Sequence, residues 1–342
     1  MNILDKIKGC LIGGAVGDAL GYPIEFMSEE SIFHKYGPTG LSDYILVDGI
    51  AQISDDTQMT LFTADAIVCA KRKFPNQWYN EAILIPYIFH CYKDWKLTQS
   101  TDYPIPTDIP TYSNLIHIPD LFARRAPGIT CLESLHGKQM GTIEKPLNDS
   151  KGCGGIMRVA PLALALYGQN ISPAQTALLG AKTAAITHGH ELGYIPPAAL
   201  IFLLLELLNG TPLQKAVSTL GPSLLSVFPM SENLNKMLSL IAQAQIFTEM
   251  RVPPLKALNK LGRGWVAEET LAIAIYCAIN YSDDFEKGVL VAVNHSGDSD
   301  STGSITGQIL GTYLGSEAIP QRYIKSLELK ELISSYAREL AK

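Results

Sequence analysis

Two acidic runs, Ser54-Asp55-Asp56-Thr57 and Asp298-Ser299-Asp300-Ser301-Thr302, stand about 240 residues apart in a chain of 342. Each sets two carboxylates among hydroxyls within a few positions. Hard divalent cations such as Mg²⁺ and Mn²⁺ select oxygen donors of this kind. Four carboxylates brought together raise one another's pKa unless positive charge lies between them. The economical reading is a site for two cations, so the fold must bring opposite ends of the chain together. The plainer alternative is that each run caps a helix. Capping would explain one carboxylate of the first run but does not require two. In the second run, Gly297 frees the backbone to turn sharply, so carboxylates at alternate positions can converge.

The periodicity is helical almost throughout. Apolar residues recur at three- and four-residue steps over 61–70 and 267–281. Further helices are predicted over 174–186, 197–208, 213–220, 231–247, 284–293 and 327–341, with Pro173, Pro197 and Pro212 near their starts. Only 44–47 alternates like a strand. No composition break marks a second domain, so the expectation is one all-α domain over 1–342. The exception is 97–128, with Pro104, Pro106, Pro110, Pro119 and Pro127, which reads as a functional loop or a flexible tether. Gly303, Gly307 and Gly311 recur every fourth residue after the second acidic run, a pattern that admits a closely packed neighbouring helix. The opening over 13–21 is too rich in glycine to be expected as helix throughout.

Composition excludes several classes. With 47% hydrophobic and 18% charged residues, the chain can bury a deep core and is neither disordered nor fibrous. A net charge of −6 and the lack of a basic arm weigh against a nucleic-acid surface. The six cysteines (10, 69, 91, 131, 153 and 277) contain no CxxC pair and fit buried thiols in a reducing compartment. Asp18 interrupts the apolar stretch 9–20, which lacks a signal-peptidase pattern. The run 195–208 holds two prolines and Glu206 and is too short to span a bilayer. A soluble, cytoplasmic protein without a membrane partner is expected.

Three further segments hold candidate chemistry. Lys151-Gly152-Cys153-Gly154-Gly155-Ile156-Met157-Arg158 reads as a glycine-rich turn opening a helix, either a backbone cradle for phosphate or a plain tight turn. It is not a Walker A sequence. His188 and His190, two positions apart, do not share a helix face and read as hydrogen-bonded polar residues. Glu25, after the glycine-rich opening, either reaches a cleft or is solvated. No Gly-x-Ser-x-Gly elbow supports a serine nucleophile.

In order, 13–25, Ser54-Asp55-Asp56-Thr57-Gln58-Met59, 152–158 with Ala160-Pro161-Leu162, Thr187-His188-Gly189, Gly262-Arg263-Gly264-Trp265-Val266-Ala267-Glu268-Glu269 and 297–302 cover nearly the whole chain. This set of motifs resembles the ADP-ribosylglycohydrolase family. The resemblance implies an all-α orthogonal helical bundle with two Mg²⁺ or Mn²⁺ ions at the bottom of a cleft. By resemblance, Ser54, Asp55, Asp56, Asp298, Asp300 and Ser301 are the metal ligands, the two serines standing where many relatives have threonine. It implies catalytic roles for Glu25, Asp55, Asp56 and Asp300. It also implies that Gly152, Cys153, Gly154 and Gly155 cradle a diphosphate while His188 lines the ribose side. Cys153 departs from the asparagine of many relatives, and nothing in the family pattern accounts for 97–128. The implied activity is hydrolysis of the bond between ADP-ribose and a modified protein, with arginine as the leading linkage and ADP-ribose as product. The alternatives are another ADP-ribose linkage (serine, nucleobase or small molecule) or a non-catalytic relative that binds ADP-ribose.

Overall fold

Glycine spacing decides which helices meet. The N-terminal helix Ile3–Gly21 turns Gly9, Gly13 and Gly17 toward Gly311, Gly307 and Gly303 of the helix Ser299–Leu314, so the two run antiparallel. A Cβ on Gly17 would lie 2.0 Å from the Gly303 carbonyl oxygen, and one on Gly303 would lie 2.5 Å from that of Gly17. The backbones touch, and no side chain fits between them. The expectation that glycine would break the opening is therefore corrected. Each glycine costs a helix roughly 0.5–1 kcal/mol relative to alanine, and close packing along the whole helix offsets that cost.

The computed structural model describes residues 2–342, and those residues form an all-α fold without strands. Residues 44–47 are not a strand; Val47 forms only an isolated bridge with Ile50. The helix predicted over 197–208 is Glu191–Leu208, begun by the His190 side chain accepting from Leu192 N, with Pro196 and Pro197 inside it. By length and composition this helix could cross a membrane, but 83% of it is buried within the fold. The stretch 213–220 divides into Leu213–Ser218 and Leu220–Leu225. The last helix begins at Lys330, because Leu327 bridges to Ala51 and Leu329 takes a left-handed conformation. Helix Glu81–Thr98 escapes prediction because Pro86 lies inside it. All six cysteines are free.

Segment 97–128 is a pinned loop rather than a tether. The Tyr112 and Ser113 amides donate to Asp94 Oδ2 at 2.6 and 2.7 Å. Ser113 Oγ and the Asn114 amide each lie 2.7 Å from Asp65 Oδ2. Farther along, Arg125 pairs with Glu328 through both terminal guanidinium nitrogens. Arg125 also donates to the Ile53 carbonyl at 3.1 Å, while Glu328 accepts the Ile53 amide at 3.0 Å. Both backbone groups of the residue before Ser54 are thereby held, which fixes how the first acidic run enters its helix.

Candidate active site

The acidic runs divide between capping and clustering. Ser54 is the N-cap of helix Asp55–Lys73, its Oγ accepting from the Asp56 amide at 3.2 Å. Asp298 caps Ser299–Leu314, with Oδ1 3.2 Å from the Ser301 amide. Capping leaves Asp55, Asp56 and Asp300 to face one another, each buried, with one carboxylate oxygen apiece inside a 4.8 Å span. The positive ends of two helices favour negative charge there. Ser301 donates to Asp56 Oδ1 at 3.0 Å, and the Gly128 amide donates to Asp55 Oδ2 at 3.0 Å. Asp298 stands beside the triad, and its Oδ2 accepts from the Cys153 thiol at 2.7 Å.

A fifth carboxylate, Asp18, lies beneath the site and was not anticipated. Fully buried, it accepts from the Ser54 amide at 2.9 Å, the Thr57 amide at 3.0 Å and the Thr57 hydroxyl. It ties the first acidic run to the glycine-packed helix. The signal was a lone aspartate in an apolar run, which served only to argue against a leader sequence. Burial, followed by the charge of Asp300, pushes Asp18 up to about 7 despite its hydrogen bonds. Burial and neighbouring carboxylates hold Asp55, Asp56 and Asp300 well above the usual carboxylate range.

Glu25 follows the short 3₁₀ turn Tyr22–Ile24 and is buried, which removes the solvated alternative. Its Oε2 has no hydrogen-bond partner. Burial first, then the charges of Asp300, Asp298, Asp55 and Asp18, push its carboxyl up to about 10. Carboxyls that resist ionisation this strongly, one with an unpartnered oxygen, form a donor set suited to divalent cations. Beside Glu25 the exposed rings of Phe26 and Trp265 stack at 5.8 Å, a surface feature the sequence did not single out.

The glycine-rich segment forms one 3₁₀ turn, Cys153–Gly155, and the α-helix starts only at Ala160. The expectation that this turn opens a helix is corrected, so no helix dipole reinforces it. Gly152, Cys153, Gly154 and Gly155 do line one turn, but the Cys153 side chain faces Asp298. The neighbouring Gly262-to-Glu269 motif scaffolds that turn. Glu268, fully buried, holds Lys151 at 2.6 Å, and the Ala267 amide donates to the Lys151 carbonyl at 2.9 Å. Arg263 O accepts from the Asp298 amide at 2.8 Å, joining the turn's support to the second acidic run. His188 is buried, and its Nδ1 lies 2.8 Å from Thr187 Oγ1. A cavity of about 590 Å³ opens beside the turn, lined by Thr130, Glu133, Lys138, Asn148 and Ser150 among others. His190 caps its helix and takes no part in the cluster.

An all-α fold that gathers buried carboxylates from two helix N-termini, with a cavity opening near Ser150, has the makings of an enzyme's active site. The family description for ADP-ribosylglycohydrolases matches residues 1–342, and the chain belongs to that family. It is similar to the ADP-ribosyl-[dinitrogen reductase] glycohydrolase of Rhodospirillum rubrum, 24% identical over 96% of this chain and 92% of that one. It is similar as well to the ADP-ribosylarginine hydrolase Tri1 of Serratia proteamaculans, 25% identical over 98% and 79%. A solved ADP-ribosylglycohydrolase-related protein complex shares the fold, with a TM-score of 0.61, 23% identity and coverage of 99% and 98%.

Proposed function

We propose that this chain is a divalent-cation-dependent hydrolase that releases ADP-ribose from arginine side chains of modified proteins. The observation that carries the cation requirement is the buried triad of Asp55, Asp56 and Asp300, whose oxygens approach within 4.8 Å. Arginine is favoured by the resemblance to a relative named for ADP-ribosylarginine, over nearly the whole chain. With Ser54, Asp298 and Ser301 alongside the triad, the site offers enough oxygen donors for two Mg²⁺ or Mn²⁺ ions. Such ions supply Lewis-acid polarisation and the positive charge that lets these carboxyls ionise.

The chain's own residues carry the remaining steps. The turn at 152–155 and the adjoining cavity hold the nucleotide, an ADP-ribose-sized ligand being within the usual range for a pocket of about 590 Å³. The distal ribose then lies over the carboxylates. Water attacks the anomeric carbon, a C–O bond forms as the bond to the guanidino nitrogen breaks, and the transition state is oxocarbenium-like. Glu25, ionised in the loaded site, takes the water's proton, with Asp55 or Asp56 as the alternative base. The proton taken by Glu25 passes on through solvent to the departing guanidine nitrogen, which leaves as the restored arginine side chain and returns Glu25 to its starting state.

The test is incubation with peptides ADP-ribosylated on arginine or serine and with ADP-ribosylated nucleic acid, each with Mg²⁺, Mn²⁺ or EDTA. ADP-ribose should appear from the arginine peptide in the presence of cation. Release in excess EDTA would remove the cations from the reaction, and release from the serine peptide alone would reassign the linkage.

A further inference from the structure

Arg158 is fully buried yet held by neutral groups. It donates to Thr187 Oγ1 at 2.6 Å and to the Thr183 carbonyl at 3.4 Å, touches the sulfurs of Met59 and Cys131, and lies 4.2 Å over the Tyr92 ring. Its Nε has no partner. Burying a guanidinium without a carboxylate is expensive, which directs attention to what the charge does next to Thr187.

An arginine can only donate, so Thr187 Oγ1 must accept from it. The threonine's single proton then goes to an acceptor within reach. His188 Nδ1 stands 2.8 Å away, and the competing neighbour is the Cys131 sulfur, a much weaker acceptor than an imidazole nitrogen. With Nδ1 accepting, a neutral imidazole carries its hydrogen on Nε2. Burial, then the charge of Arg158, keeps the ring neutral by pushing it down to about 3.

Nε2 faces the glycine turn. A Cβ on Gly152 would lie 3.3 Å from His188 Nε2 and 3.5 Å from Ser150 Oγ, and one on Gly154 would lie 3.3 Å from Nε2. Ser150 also lines the 590 Å³ cavity. Glycine at these two positions leaves Nε2 and the Ser150 hydroxyl uncovered by a side chain where they converge. We propose that Arg158 and Thr187 are positioning residues that fix His188, which the family resemblance already sets against the ligand, as the Nε2–H tautomer, so that its contact with an oxygen of ADP-ribose held over Gly152 is made as a donor. The ligand's identity rests on the function proposed above; the tautomer does not.

The test is long-range ¹H–¹⁵N correlation NMR on the ¹⁵N-labelled full chain without ligand, with His188 assigned from the spectrum of His188→Gln. Wild type should show His188 as Nε2–H. Thr187→Ser keeps the hydroxyl and should keep the tautomer, whereas Thr187→Val should release it. Calorimetry with ADP-ribose should show Thr187→Val weakened by roughly tenfold to a hundredfold, the range for one hydrogen bond to a charged acceptor, and Thr187→Ser near wild type. An Nδ1–H tautomer in wild type overturns the relay, a measurement that does not depend on the valine variant folding. ADP-ribose that binds without moving the His188 Nε2 signal overturns the contact. If ADP-ribose fails to bind while the tautomer is as stated, the relay stands and the function reading falls. Titration with ADP and with inorganic pyrophosphate separates the oxygens: a shift of the Nε2 signal by both assigns the contact to phosphate, and a shift only with ADP-ribose assigns it to the distal ribose.

Discussion

Ser301 donates its hydroxyl to Asp56 across 245 positions of sequence, at 3.0 Å from Oδ1 and 3.2 Å from Oδ2. The acidic runs thus meet through tertiary structure, and the triad that faces inward exists only in the folded chain.

Cation binding should therefore raise thermal stability. A ligand that binds only the native state at a hundred times its Kd adds about 2.7 kcal/mol. Scanning calorimetry should give a higher Tm in Mg²⁺ or Mn²⁺ than in EDTA, rising with cation concentration. Equal Tm values would mean that no cation binds the native state preferentially.

The glycine contact sets the spacing between the runs. Gly303→Ala places a methyl 2.5 Å from the Gly17 carbonyl oxygen and 2.6 Å from Val293 Cγ1. Such overpacking typically costs about 1–3 kcal/mol. Because separating these helices moves Asp300 relative to Asp55 and Asp56, Mn²⁺ affinity should fall along with stability. A lower Tm with unchanged Mn²⁺ affinity would reduce the contact to packing alone.

Much of this was legible in the sequence, and the gaps have physical causes. The acidic runs stood out because two carboxylates beside hydroxyls are improbable as mere caps, although Ser54 and Asp298 do cap. Gly303, Gly307 and Gly311 announced a close helix neighbour, but propensity obscured which one. The partner's glycines, weighed as breakers, are helical because they face the first set. Asp18 stayed hidden because two of its three donors are backbone amides and the third, the Thr57 hydroxyl, lies 39 residues away, which no local side-chain pattern reveals. The hold of Arg125 and Glu328 on Ile53 joins three distant segments and leaves no local periodicity.

Asp18 is the hinge of that assembly, so Asp18→Asn should cost more than one hydrogen bond. The amide's NH₂ would confront amide donors that now point at a carboxylate oxygen. Cation affinity should drop by the roughly 10–100-fold that supporting groups contribute at metal sites. Isothermal titration with Mn²⁺ reads this directly, and wild-type affinity would mean the acidic run holds its shape without Asp18.

The pH response should reverse with cation. Without cation, Asp18, raised to about 7, and Glu25, raised to about 10, bind protons in the folded state that the unfolded chain has released above its ordinary values of 3.8 and 4.5. Their stabilising contribution is complete below those values and is lost as pH rises through the folded ones. His188 and His295, lowered to about 3 and about 4, act oppositely: their contribution is present above 6.5 and lost as pH falls. Well above pH 6.5 the histidines are neutral in both states, so from there Tm in EDTA should decline toward pH 10. Saturating cation, which binds the deprotonated carboxylates, should flatten or invert that slope. A Tm that rises with pH in EDTA would contradict the clustering.

Glu25→Gln separates the carboxyl's charge from its shape. Glu25 is buried with Oε2 unpartnered, so ionising it without cation is unfavourable. The glutamine variant removes that liability, and its Tm in EDTA should fall less than wild type's between pH 7 and 10. In the cation-loaded enzyme the same change removes the base proposed above. Cation affinity should survive, since Asp55, Asp56 and Asp300 remain, while kcat drops by about 10²–10⁴. KM should change little, because the loss falls on proton transfer and not on nucleotide binding. A variant with wild-type kcat would pass the base role to Asp55 or Asp56; one that also lost cation binding would make Glu25 a ligand first.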